Sequence, residues 1–260
     1  MGRIGWGVIV GGATAVAVGL VAAIVGAQLG YAGVAAPLRA LAEPGIRHAV
    51  GLSLATATAA SALALLVAVP TAYGLARWRF PGAGAVDVLL DLPVVLSPVA
   101  LGVSLLLLLR SGWGQWVEEH LIRFVFEVPG IVLAQFIVSL ALAIRVLKAA
   151  FQQIDVRYEQ VARFLGCTPW GAFRRVTLPL ARKGVVAAYA LAWARAVGEF
   201  GATVTLAGAV AGKTETIPVA IYLRMATVDV AGAVALMLLL SGISVGVLVA
   251  VRCLGAGGSR

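Results

Sequence analysis

The chain has 260 residues, 62% of them hydrophobic and 12% charged, with a net charge of +9. Charged residues reach about half the share usual in soluble domains, and a soluble core of this length cannot absorb so much apolar surface, so the chain reads as an integral membrane protein. The excess positive charge forms no basic stripe interleaved with aromatics on a soluble module, which excludes a nucleic-acid partner and points to loop asymmetry across a lipid bilayer.

Taken in order, Val8 to Gly30 is a continuous apolar run after Arg3. It exceeds the about 7–15 residues of a signal-peptide core and reads as a retained transmembrane helix, although the small residues before Pro37 leave cleavage open. Gly7/Gly11 and Gly26/Gly30 are spaced for close helix approach. A loop over 31–48 carries Pro37, Arg39, Glu43, Pro44 and Arg47, and a second span runs from about Leu52 to Tyr73, with Pro70 predicting a kink. After Arg77-Trp78-Arg79, a third span covers about Val86 to Leu109. Asp87, Asp91, Pro93 and Pro98 predict irregular first turns, the two acids acting as caps rather than ligands. Residues 110–127 read as an interfacial loop or short amphipathic helix. A fourth span follows over Gly130 to Leu147, a polar stretch over Asp155 to Gly184, and a fifth span over Val185 to Ala209. Ile217 to Met225 is too short to cross, and Gly232 to Val251 makes a sixth span.

Six spans place both termini on one side. With that side inside, the cytoplasmic segments hold Arg3, Arg77, Arg79, Arg252, Arg260 and the eight Lys or Arg between Arg145 and Lys183. The external segments hold only Arg39, Arg47, Arg110, Arg123, Lys213 and Arg224. The bias predicts cytoplasmic termini and a cytoplasmic 155–184 segment. Cys167 and Cys253 then face a reducing compartment, and neither has a Cys or His at metal-ligand spacing.

The 155–184 segment is the one long charge-rich stretch in the chain. Val161, Phe164 and Leu165 share a helix face, Gly166 permits a sharp turn, and Thr168-Pro169 caps and starts a second short helix carrying Trp170 and Phe173. Such a pair, held flat by two flanking spans, suits a groove in a cytoplasmic partner or the surface of anionic lipid.

This segment resembles the EAA loop of ABC-transporter permeases, with Gly166 as its glycine and Leu178-Pro179 as its terminal pair. Its start departs from the pattern, reading Glu159-Gln160-Val161-Ala162, with Gln160 where the spacing from Gly166 usually puts a glutamate. Trp193 to Ala202 (WARAVGEFGA), KTETIPVAIY and DLPVVLSPVALG resemble molybdate permeases, and sulfate and thiosulfate permeases share a related GE-aromatic-G element; the likeness covers about residues 50–225. It implies an all-α, polytopic, type I importer fold in the cytoplasmic membrane of a prokaryote, with a helix and external loop over 1–45, a transport core over 46–252 and a tail over 253–260. It implies a homodimer that serves two cytoplasmic ATP-binding subunits and an external substrate-binding protein. ATP and Mg would be bound by the partner subunit, with no cofactor in this chain and no enzymatic activity of its own. The expected cargo is molybdate or tungstate, with sulfate or thiosulfate as the alternative. Glu159, Gly166, Thr168, Pro169, Trp170 and Phe173 become the candidates for coupling to the ATPase.

Arg195 and Glu199 sit near the middle of the fifth span, four residues apart and so on one helix face. Ionisable groups at that depth must pair, or face water or protein. Mutual neutralisation and a lining of the anion path or gate are both open readings. Gly198 and Gly201 flank the acid and would either aim backbone N–H groups at a passing anion or admit a neighbouring helix. Ala207 to Thr214 loosely fits a phosphate loop, but it follows a membrane span rather than a strand, which excludes ATP binding there. His48 and His120 stand alone in predicted external loops, and no catalytic or metal cluster appears. An ion-coupled carrier or channel would have no use for the 157–184 docking segment.

Overall fold

The computed structural model describes residues 2–78 and 80–256. Arg79, Arg260 and the rest of 257–260 lie outside the described residues, as do the side chains of Arg3 and Arg252. Among the described residues the fold is all-helical. In chain order the helices are α1 (Gly2–Ala32), α2 (Ala36–Ala40), α3 (Pro44–Arg77), α4 (Ala83–Val95), α5 (Pro98–Arg110), α6 (Gly112–His120) and α7 (Val128–Gln152). They are followed by α8 (Arg157–Phe164), α9 (Pro169–Ala172), a π-helical turn (Phe173–Thr177), α10 (Leu178–Leu180), α11 (Arg182–Val197), α12 (Gly201–Ala207), α13 (Ile217–Ala226) and α14 (Val230–Ala256).

Helices α3 and α7 form the centre because α3 carries a seam of small residues. Ala49, Ser53, Ala57, Ala60, Ala64, Ala68 and Ala72 recur at helical spacing and are buried, bringing α7 and α11 against the backbone of α3. Between spans, where lipid gives apolar contact no advantage over helix contact, polar groups add direction. Trp193 Nε1 donates to Thr58 Oγ1 at 3.0 Å, and Ser139 Oγ donates to the Ala192 carbonyl at 3.1 Å. Ile217 N–H donates to Ser53 Oγ at 2.8 Å, tying the start of α13 to α3.

Several sequence expectations shift. Helix α3 starts at Pro44, so His48 belongs to its first turns, and it continues as helix through Pro70 to Arg77. Among the described glycines, Gly11, Gly26 and Gly30 do not mediate helix packing within the chain, because a Cβ at any of them would meet nothing within 4 Å; the surroundings of Gly7 lie outside the described residues. Among the described residues four helices are long and apolar enough to cross a membrane, and five spans result when α4 and α5 count as one. Those two meet at 113°, because Leu96 and Ser97 are extended ahead of Pro98 and Ser97 Oγ restarts the helix by accepting from Ala100 N–H at 3.3 Å. The predicted fifth span is also divided, into α11 and α12, at 198–200. Asp87 and Asp91 are not caps: α4 begins without a side-chain cap, and both acids reach across to α7.

Helices α5 and α12 pack closely at glycine. A Cβ on Gly102 would lie 2.7 Å from Thr205 Cβ and 3.0 Å from Ala202 Cα. Gly102→Val should therefore cost about 1–3 kcal/mol of overpacking and lower the unfolding temperature in detergent. Gly84→Ala, whose Cβ meets open space, should match or slightly exceed the parent by the same calorimetric measurement. Equal melting of the two variants would contradict the close α5–α12 contact.

Candidate functional site

Two groups of sequence-predicted residues are assembled by the fold, and α11 connects them. The first is the segment from α8 to α10. Gly166 ends α8 at φ +92°, a left-handed conformation open to glycine without strain. Thr168 caps α9 by accepting from Gly171 N–H at 3.1 Å, with Pro169 at the first helical position. The π-helical turn that follows sits ahead of Pro179, whose ring disfavours ordinary helical closure onto the fourth residue before it.

Only part of the expected contact set points outward. Trp170 is 68% exposed, and Phe164 and Leu165 are 90% and 81% exposed, the largest apolar projections of the segment. Phe173 instead turns inward, stacked under Trp170 at 5.5 Å and tilted against Tyr73 of α3 at 4.7 Å. Glu159 also turns inward. Its carboxylate accepts from Tyr73 Oη at 2.7 Å, Arg77 Nε at 2.8 Å and Thr177 Oγ1 at 2.7 Å, while Arg77 Nη2 donates to the Ile154 carbonyl at 3.0 Å. Burial pushes the Glu159 carboxyl up, but these hydrogen bonds and the Arg77 charge outweigh it and hold the group below its ordinary value. One carboxylate thus joins the end of α3, the loop after α7, α8 and the π-helical turn. The sequence holds no sign of this tie beyond Tyr73 and Arg77 lying one helical turn apart at the end of a span.

The second group surrounds Arg195 and Glu199. Arg195 Nη1 lies 2.6 Å from Glu199 Oε2, and the acid is buried. The pair does not lie on one continuous helix. Glu199 sits in the break, where its Oε1 accepts from Ala202 N–H at 2.9 Å and caps α12. Gly201 serves helix approach: a Cβ there would stand 2.7 Å from Pro98 Cβ and 3.0 Å from Val99 N. Gly198 has an ordinary negative φ and meets only the Ala194 carbonyl. Arg195 opens into a cavity of about 150 Å³ beside the α4–α5 break, with Pro93, Pro98, Val138 and Leu142 on its walls. Two interrupted helices, one cation and one small cavity therefore meet at a single level. Among the described residues no group of three or more His, Cys, Asp or Glu is placed to hold a metal. Lys213, of the phosphate-loop look-alike, is paired with Glu127.

A bundle with two broken spans and an outward-pointing helical segment matches known transport proteins. Residues 60–255 match the family described as binding-protein-dependent transport system inner membrane component. The chain belongs to this family of ABC-transporter permeases. The permease is 38% identical over 177 residues to the molybdenum transport system permease protein ModB of Haemophilus influenzae, covering 67% of this chain and 77% of that protein. It is 42% identical over 202 residues to ModB of Mycobacterium bovis, covering 77% and 76%. The sulfate transport system permease protein CysW of Escherichia coli is 34% identical over 188 residues, covering 72% of the permease and 65% of that protein. The fold also matches the crystal structure of a bacterial ABC transporter that imports the acidic polysaccharide alginate, with a TM-score of 0.67 at 16% identity over 91% of this chain and 89% of that one.

The Glu159 tie sets a sign for acid stability. Because its carboxyl titrates lower in the folded permease than in the unfolded chain, its contribution is complete above the ordinary carboxylate range and is lost as pH falls through the depressed value. Glu159→Gln should therefore unfold with a shallower slope than the parent between about pH 5 and pH 3, and should expose 157–181 to protease at neutral pH. Parallel acid limbs for the two proteins would contradict the tie.

Proposed function

We propose that the permease forms the membrane path of an ATP-driven importer for a tetrahedral oxyanion, molybdate or tungstate. The observation that carries this reading is the ModB relatedness, at 38% identity over 177 residues and 42% over 202. Sulfate is the second reading, supported by the 34% identity to CysW.

In this reading α11 and α12 together make one interrupted span, giving six, with both termini in the cytoplasm as the charge distribution requires. Two copies of the permease enclose the path, an N-terminal helix and loop over 1–45 lies outside the 46–252 core, and residues 253–260 form a cytoplasmic tail. ATP and Mg belong to two separate cytoplasmic subunits, so the permease itself catalyses nothing. An external binding protein delivers the anion. The fold-neighbour transporter, solved with a periplasmic protein carrying an alginate pentasaccharide, is consistent with such delivery.

The residues take distinct parts. Phe164, Leu165, Gly166, Thr168, Pro169 and Trp170 present the docking ridge to the ATP-binding subunit, because Phe164, Leu165 and Trp170 leave most of their apolar surface exposed. Glu159 and Phe173 carry no contact to that subunit; they clamp the ridge to α3 and α7 so that its displacement moves whole spans. The displacement passes through α10 into α11, which ends at the Arg195 level. There the break at 198–200 lets the Arg195 side of the path shift against the α4–α5 elbow, opening and closing a lane for the anion. A path cation held by Glu199 attracts the anion yet releases it, leaving tight capture to the external protein.

Two measurements test the reading. Phe164→Glu combined with Leu165→Glu should abolish co-purification of the ATP-binding subunit while leaving detergent melting near that of the parent; retained co-purification would remove the ridge from the interface. In proteoliposomes with the complete complex, labelled molybdate uptake should be competed by tungstate at lower concentration than by sulfate. The reverse order would assign the permease to sulfate, and competition by sugars or amino acids alone would end the oxyanion reading.

A further inference from the structure

Four ionisable side chains outside the Arg195 pair lie along α4 and α7. Arg145 forks onto Asp91, with Nε 3.2 Å from Oδ1 and Nη2 2.9 Å from Oδ2. Lys148 Nζ lies 2.6 Å from Asp87 Oδ2. At 1.5 Å rise per residue, Arg145 stands about 10 Å and Lys148 about 6 Å from the end of α7 at Gln152. By the same rise Val138 stands about 21 Å from that end, and Arg195 about 20 Å from the start of α11 at Arg182. These two helices share the level of the small cavity, whose walls include both Val138 and Arg195. Val138, Leu142 and Arg145 recur at helical spacing, so one stripe of α7 runs from the cavity down to the Arg145–Asp91 pair.

The exposure of this pair is the decisive feature. Arg145 lies within α7, an apolar helix long enough to cross the membrane, and not in the cytoplasmic segment to which the charge count assigned it; its side chain and that of Asp91 are 53% and 39% exposed where ionisable groups are costly against hydrocarbon. An open ion pair there must face water or other protein. We propose that Arg145 and Lys148 form an exit row below Arg195, lining a water-filled lane through which a divalent oxyanion leaves for the cytoplasm. The inference rests on the importer reading above and adds the path's inner half. Each cation in the descending series holds a carboxylate: Arg195 with Glu199, Arg145 with Asp91, and Lys148 with Asp87. The carboxylate keeps each positive group oriented and occupies part of its donor set, so that a dianion is drawn along by the remaining N–H groups without being trapped.

The same cations would also hold the phosphate of an anionic lipid, so the test separates the two sources. Complexes of the permease with its ATP-binding subunits are reconstituted in a Cys167→Ser, Cys253→Ser background, which removes the two free thiols. Leu142→Cys, with Arg145 intact, is labelled from the cytoplasmic side by impermeant sulfonate-bearing and trimethylammonium-bearing methanethiosulfonates. The sulfonate reagent should react faster by roughly tenfold, the worth of one charged hydrogen-bond partner, and adding Arg145→Gln should erase that preference. Leu89→Cys, on the outward side of α4, should stay unlabelled. Molybdate should slow labelling of Leu142→Cys, and phosphatidylglycerol should not.

An unreactive Leu142→Cys, a charge preference that survives Arg145→Gln, or protection by phosphatidylglycerol alone would each overturn the row. The reagent preference needs no knowledge of the cargo. A permease that fails to import any oxyanion yet keeps that preference would refute the importer reading and leave the cation-lined lane standing.

Discussion

The inner end of this bundle depends on one buried carboxylate. Glu159, on α8, gathers a phenol and a guanidinium from α3 and a hydroxyl from the π-helical turn, each at hydrogen-bond distance. A buried acid is tolerated only when its charge is matched and its lone pairs are filled, and the Arg77 fork also fills the Ile154 carbonyl. Replacing one partner would leave the others buried without theirs, so the four elements hold together or come apart together. This anchors a short amphipathic segment, too small to be stable as a free helix, to two long ones.

The anchored segment meets a bundle built for close contact. The alanine seam of α3 leaves no room for large side chains between it and α7, and a Cβ on Gly184 would collide with Ala150 Cβ where α11 returns against α7. Close backbones transmit displacement because nothing compressible lies between them. The compliance is placed elsewhere, in the two breaks. The α4–α5 elbow and the α11–α12 interruption touch at Gly201 and Pro98, and both free backbone ends are satisfied locally, by Ser97 and by Glu199. Broken helices are tolerated at membrane depth where protein or water surrounds them, as it does here on the cavity side.

Hydropathy located most spans and the polar segment, because twenty-odd apolar residues have few alternatives. The Gly166-Cys167-Thr168-Pro169 run signalled the turn between two short helices, where the structure has it, whereas the irregularity expected in the first turns of the third span falls at its middle, at residues 96–97 ahead of Pro98, with Pro93 inside regular helix. What pattern reading missed were pairings across the chain. Glu159 and Phe173 look like surface residues on a polar segment, and only the fold brings Tyr73 and Phe151 beneath them. Asp87 and Asp91 look like caps from their position ahead of a helix, whereas their partners lie more than fifty residues away. Helical periodicity reports which residues share a face, not which face they meet.

Ionic pairing explains why so apolar a chain keeps acids inside its spans. An unpaired Arg195, Arg145 or Lys148 would be costly to insert and would grip any dianion that reached it. An all-apolar lane would be easier to build but would present a dianion with the full penalty of losing water. Cations each sharing a carboxylate lie between these limits: the acid lowers the cost of burying the cation, and the cation retains N–H groups directed to the open side. Arg145 is half-exposed whereas Glu199 is fully buried, so pairing is tightest at the α11–α12 break and looser toward the Gln152 end of α7. A dianion passing such pairs would meet partial charges that it can leave, and not a site built to hold it.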